Sequence, residues 1–140
     1  MSGAPGLLLD TDILSGLMRQ HRVLVERGRA YLDDHGRFTF SVIAQYEVMR
    51  GLRARGAERQ VRAFAAFCDQ SRLLPVTPEV GSRAAEIYAA LSRRGELIGD
   101  ADILIAATAL VHGLGLATHN VAHLSRVDGL SVDDWLAGST

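Results

Sequence analysis

Leu7-Leu8-Leu9-Asp10-Thr11-Asp12-Ile13-Leu14 is the stretch on which the fold turns. A short apolar run suits a strand buried on both faces of a parallel sheet better than a helix. An acid closes the run, and residues 12–19 then read as a helix. Residues 23–35 form a second predicted helix, stopped by Gly36. Phe38-Thr39-Phe40 reads as a second strand, and Ser41 as the N-cap of a helix running to about Ala54. A helix over roughly 57–71 follows, then a third strand from Leu73 to Val76. Pro78 is well placed in the first turn of a helix that runs to about Arg94 and stops at Gly95. Residues 101–112 form a strongly apolar helix ended by Gly113, which predicts burial on most sides. Leu116–Thr118 and Leu130–Val132 complete a set of four to five short strands. Strands alternating with helices predict an α/β domain whose parallel sheet is covered on both faces.

The length of 140 residues predicts one domain over 1–140, with residues 1–6 as a short N-terminal tail. Hydrophobic residues make up 48% of the chain, enough for a real core, and no apolar run is long enough for a membrane span. Met1–Gly6 lacks the basic and apolar regions of a secretory signal, so the cytoplasm is the expected compartment. The single Cys68 fits that compartment and reads as a small buried hydrophobe. The net charge of −1 does not by itself suggest a nucleic-acid partner. All 15 basic residues are arginine, so chemistry that requires a lysine is excluded.

In a doubly wound sheet, ligands sit outside the carboxyl ends of the strands. Asp10 falls at the end of the first predicted strand and Asn120 just after the fourth. Asp102 opens the apolar helix, and Glu47 sits among apolar neighbours on the helix after the second strand. Each has an ordinary structural alternative: a helix cap for Asp10, a solvated or salt-bridged acid for Glu47, a dipole-favoured charge for Asp102. Buried carboxylates need a cation or a hydrogen-bond network. Several converging ones suit Mg²⁺ or Mn²⁺, and such a site can do phosphodiester chemistry.

These residues resemble a known family. Leu7-Leu-Leu-Asp10-Thr-Asp-Ile-Leu14 is similar to the opening motif of PIN-domain ribonucleases, especially the VapC toxins of toxin–antitoxin pairs. Ser41-Val-Ile-Ala-Gln-Tyr-Glu47-Val-Met-Arg-Gly51 resembles the second motif, and Gly99-Asp-Ala-Asp102-Ile-Leu-Ile-Ala-Ala-Thr-Ala-Leu110 the third. Leu116-Ala-Thr118-His-Asn120, Arg126-Val-Asp-Gly129-Leu and Asp134-Trp135 resemble the closing block. The resemblance implies a three-layer α/β/α sandwich and a Mg²⁺- or Mn²⁺-dependent endoribonuclease, with Asp10, Glu47, Asp102 and Asn120 at its site. It also implies a homodimer neutralised by a small VapB-type antitoxin. Arg93-Arg-Gly-Glu-Leu-Ile-Gly99 and the terminal Gly129-Leu-Ser-Val-Asp-Asp-Trp135 are similar to members that cut initiator tRNA, which makes tRNA a candidate substrate.

Two positions depart from the family pattern. Asn120 stands where a fourth acid is expected, and Asp12 stands where Asn, Ser or Thr is common. Asp12 is therefore a candidate metal ligand that partly replaces the missing charge, with an N-cap as the alternative. Asp100 is a further candidate ligand, with capping of the same helix as Asp102 as its alternative. Arg50 and Arg53, in a run continued by Arg55, Arg59 and Arg62, are candidate phosphate contacts or members of a solvated helix face. His119 and His123 are spaced to share a metal on one helical turn, but no third nitrogen or sulfur ligand lies near. Asp10-Thr-Asp12 after a strand also looks like a haloacid-dehalogenase motif, a chemistry that generally uses the lysine this chain lacks. The remaining alternatives are a PIN nuclease of RNA processing that is not a toxin, and a silent PIN-like binding module.

Overall fold

The computed structural model describes residues 5–138. Five strands form one sheet: β1 (Leu7–Leu9), β2 (Thr39–Ser41), β3 (Arg72–Leu74), β4 (Gly115–Ala117) and β5 (Val132–Asp133). Their order is β3-β2-β1-β4-β5, and every pairing is parallel. Seven helices connect them: α1 (Thr11–Met18), α2 (Arg22–His35), α3 (Val42–Ala54), α4 (Glu58–Asp69), α5 (Pro78–Arg93), α6 (Asp100–Val111) and α7 (Val121–Leu124). After β1 the chain builds outward through β2 to β3. It then crosses to β4 on the other side of β1 and continues to β5. Right-handed crossovers place α1–α4 on one face and α5–α6 on the other. The reversal between β1 and β4 is a topological switch point, where α/β sheets open a crevice for ligands.

The elements follow local chemistry. Leu8 and Leu9 are fully buried, as a strand covered on both faces requires. Asp10 caps α1 through its side chain, which accepts from the Thr11 amide, and Ile13, Leu14 and Leu17 then turn one face of that helix into the core. Ser41 ends β2 and caps α3, and Thr77 caps α5 with Pro78 in its first turn. Gly36 terminates α2 at φ 82°, a left-handed conformation that glycine adopts freely. In α6, Ile103, Ile105, Ala106, Ala107, Thr108 and Ala109 are all buried, so little polar surface remains.

Several expected boundaries shift. The third strand ends at Leu74 rather than Val76, because Pro75 has no N–H for a ladder bond. The fifth strand is Val132–Asp133, and the short α7 was not anticipated. Asp12 does not cap α1, since Asp10 already holds that position. Asp100 does not cap α6: Gly99 is the N-cap, and no side chain caps that end. Of the expected tail, residues 1–4 lie outside the described residues.

Phe40, at 0% exposure, stacks on Phe64 at 6.3 Å and Phe67 at 5.9 Å, which ties β2 to α4. Replacing Phe40 by Ala is expected to cost about 3–5 kcal/mol of stability, because the cavity collapses only partly. Val76→Ala, at an exposed position, should change stability by less than about 0.5 kcal/mol. Urea unfolding of both variants against the wild type checks the contrast.

Candidate active site

The acids gather where β1 and β4 end side by side. The Asp10 amide donates to the Ala117 carbonyl at 2.9 Å, which extends the β1–β4 ladder by one residue. The Asp10 carboxylate is only 5% exposed. Its Oδ1 accepts from the Thr11 amide at 2.8 Å and its Oδ2 from the Thr118 hydroxyl at 2.7 Å. Burial raises its pKa most, with the Asp12 charge next and Asp102 adding to it, while the two hydrogen bonds pull the other way. The outcome is a carboxyl pushed from 3.8 to about 7.

In the first turn of α1, Asp12 reaches back across the same crevice. Its Oδ2 accepts from the His119 amide at 3.0 Å. Its Oδ1 is buried with no hydrogen-bond partner. Burial again raises the pKa, partly offset by hydrogen bonds from the His119 and Ile13 amides. Asp102 projects from the first turn of α6, half-buried. Its pKa is raised by burial first, then by the Glu47 and Asp12 charges, and lowered by His123. Glu47 enters from α3, where its Oε1 accepts from the Thr11 hydroxyl at 2.7 Å and its Oε2 pairs with Arg50 at 3.6 Å. The salt-bridged alternative for Glu47 is thus part of the structure, and it coexists with a place beside Asp102.

Asn120 lies on the same rim. Its amide donates to Thr118 Oγ1 at 3.0 Å and its side-chain nitrogen meets His123 Nδ1 at 3.0 Å. Asp100 is exposed and makes no hydrogen bond or ion pair with the other acids among the described residues. Arg50 stacks over Tyr46 at 5.2 Å as well as pairing with Glu47, and Arg53 is exposed further along α3. His119 and His123 do not share a ligand: Asp134 takes the first ring and Asn120 the second. A cleft of about 410 Å³ between α1, α3 and α4 adjoins Glu47, lined by Met18, Val48 and Leu52 with Arg19 and Arg55.

Sequence reasoning passed over two hydroxyls. Thr11 steadies Glu47, and Thr118 bridges Asp10 and the Asn120 amide. The signal was available for Thr118, a hydroxyl at the carboxyl end of the fourth predicted strand.

The sequence signature of the PIN domain matches residues 7–130, and the chain belongs to the PIN domain family. It is similar to Ribonuclease VapC1 of Methanocaldococcus jannaschii, 28% identical over 91% of this chain and 87% of that protein. It is also similar to the tRNA(fMet)-specific endonuclease VapC of Shigella flexneri, 28% identical over 91% of this chain and 96% of that one. Among solved structures, VapBC-1 from nontypeable Haemophilus influenzae superposes with a TM-score of 0.78 at 28% identity, covering 92% of this chain and 97% of that one. The three-layer α/β sandwich with a five-stranded parallel sheet is therefore the PIN fold.

The family implies a divalent cation, and the donors present fit one in its hydrated form. All are hard oxygens, three are held above their ordinary pKa, and Asp12 Oδ1 is buried without a partner. Among the described residues no group of three His, Cys, Asp or Glu side chains is placed to hold an ion by itself. A hydrated divalent cation keeps several waters and takes few carboxylates directly.

Asp10 couples this site to stability. Below about pH 4 it is protonated in both folded and unfolded chains and costs nothing. Between 3.8 and about 7 the unfolded chain ionises while the folded one holds its proton, so stability falls as pH rises. Above pH 7 the full penalty, roughly 4 kcal/mol at 1.36 kcal/mol per unit, is present in metal-free protein. Asp10→Asn keeps the cap and removes the charge. In EDTA it should raise the melting temperature at pH 8 and leave it nearly unchanged at pH 4. Equal shifts at both pH values in circular-dichroism melts would contradict a buried, destabilising Asp10.

Proposed function

We propose that this protein is a Mg²⁺- or Mn²⁺-dependent endoribonuclease, the toxin of a VapBC-type toxin–antitoxin pair. The observation that carries the reading is the convergence of Asp10, Asp12, Glu47 and Asp102 on the switch point of a PIN fold, with one buried carboxylate oxygen unpartnered. Similarity to VapC ribonucleases along most of the chain supports the activity. Similarity to a VapBC structure supports a VapB-type antitoxin as partner. One relative is specific for tRNA(fMet), which supports tRNA as the substrate to try first. Exposed Val76, Tyr88 and Leu97, before, within and after α5, offer apolar surface for a second copy in a homodimer.

Asp10, Asp12 and Asp102 are the residues assigned to hold the cation, with Glu47 and Asn120 completing the site. A bound divalent ion polarises a phosphoryl oxygen and lowers the pKa of a coordinated water. Glu47 has Oε1 committed to Thr11, so its Oε2, which Arg50 approaches at 3.6 Å, is the atom assigned to accept the proton of the attacking water. Arg50 and Arg53 are assigned to the approaching RNA backbone. Asp12 supplies charge that Asn120 does not.

Purified protein incubated with tRNA and Mn²⁺ should cleave it. EDTA should abolish cleavage, and Asp10→Asn should reduce it by about a hundredfold or more. Cleavage that survives either treatment defeats the reading. A second measurement addresses Asp12. In calorimetric titration with Mn²⁺, Asp12→Asn should bind about tenfold more weakly, as loss of a charged ligand predicts. Asn120→Asp in the same background should recover the affinity. An Asp12→Asn variant with wild-type affinity removes Asp12 from the ligand set.

A further inference from the structure

The loop after β4 and the short α7 that follows carry two side chains that the assignments above leave without a task, His119 and His123. Each ring is engaged at Nδ1. His119 Nδ1 lies 3.1 Å from Asp134 Oδ1, and that oxygen also accepts from the Leu136 amide at 2.9 Å. His123 Nδ1 lies 3.0 Å from the side-chain nitrogen of Asn120. Both rings are exposed, and no hydrogen bond is made by either Nε2 among the described residues.

The partners differ in a way that assigns opposite tautomers from the bonding network. A carboxylate only accepts, so neutral His119 carries its proton on Nδ1 and presents Nε2 as an acceptor. An amide nitrogen only donates, so His123 accepts at Nδ1 and presents Nε2–H as a donor. The two rings also bracket the acids. The His119 main chain donates to Asp12 at 3.0 Å, and Asn120, which engages His123, donates its own amide to Thr118, the partner of Asp10.

A nucleic-acid strand crossing four carboxylates is repelled unless groups at the rim take up its backbone. The chain has no lysine, so N–H donors beside the arginines must share in taking up that backbone. We propose that His123 Nε2–H donates to a backbone phosphate of the substrate strand, while His119 Nε2 accepts from a ribose 2′-hydroxyl. The second contact exists only for RNA, so this rim discriminates RNA from DNA. Asp134 and Asn120 are then positioning residues that hold the two rings in opposite tautomers. The inference rests on the ribonuclease reading above.

The test separates the two. Asp10→Asn serves as a parent blocked in cleavage, and fluorescence anisotropy follows its binding of a labelled single-stranded RNA and of the same sequence as DNA. The parent should bind RNA about fivefold more tightly, the value of roughly one hydrogen bond. His119→Leu leaves the main-chain bond to Asp12 in place and should weaken RNA binding to the DNA value without changing DNA binding. His123→Leu should weaken both about fivefold, and His123→Gln, which keeps an N–H donor, should recover most of the loss. A structural role for either ring would not change the RNA-to-DNA ratio selectively. An unchanged ratio in His119→Leu, or unchanged binding in His123→Leu, overturns the assignment even if the wild type cleaves RNA. No RNA binding by the parent, with no cleavage by the wild type, removes the ribonuclease reading and the histidine pair together.

Discussion

The pairing of β1 with β4 is the constraint on which the rest depends. Leu8 opposes Leu116 and Leu9 opposes Ala117 in a ladder buried on both faces. The Asp10 amide continues that ladder onto Ala117, and the Thr118 hydroxyl returns a bond to the Asp10 carboxylate. The last residues of two buried strands are thus locked together at the point where the chain changes direction. Each other acid is referenced to this junction. Asp12 is tied to it through the His119 amide and Glu47 through Thr11, while Asp102 arrives on the helix that feeds β4.

That junction is bought with electrostatic strain. Asp10, Asp12 and Asp102 all sit above their ordinary pKa, with burial as the first cause and one another's charges as contributors. The fold limits the cost with short hydrogen bonds and with the Arg50 ion pair at the Glu47 edge. It leaves one oxygen of Asp12 unsatisfied. A buried acceptor without a donor is expensive, and an approaching cation would relieve that cost. The same logic explains the rim, where hydrogen-bonding imidazoles and an amide side chain replace further acids along the loop after β4.

Much of this was legible in the chain before any coordinates. The apolar run ending at Asp10 marked a buried strand, because only a strand covered on both faces tolerates three consecutive leucines at that length. Ser41, Thr77 and Gly36 declared helix ends through capping chemistry that acts within a few residues. Asp10, Glu47 and Asp102 stood out as acids in apolar company. Boundaries were less certain where two signals competed, as at Pro75, whose missing N–H overrode the apolar character of its neighbours.

Pairwise assignments across the crevice were beyond reach of the sequence. Whether Asp12 caps its own helix or faces the acids depends on β4, more than a hundred residues away in the chain, because His119 supplies the amide that fixes it. The roles of Thr11, Thr118 and the two histidines likewise depend on partners brought in by other elements. Local sequence therefore determined the strand–helix alternation, the caps and the presence of an acidic set, since these rest on spacing and residue type. Only the tertiary structure decided which oxygens are satisfied, which carboxylates share one another's fields and which atoms line the crevice, because those depend on distances that the sheet order alone creates.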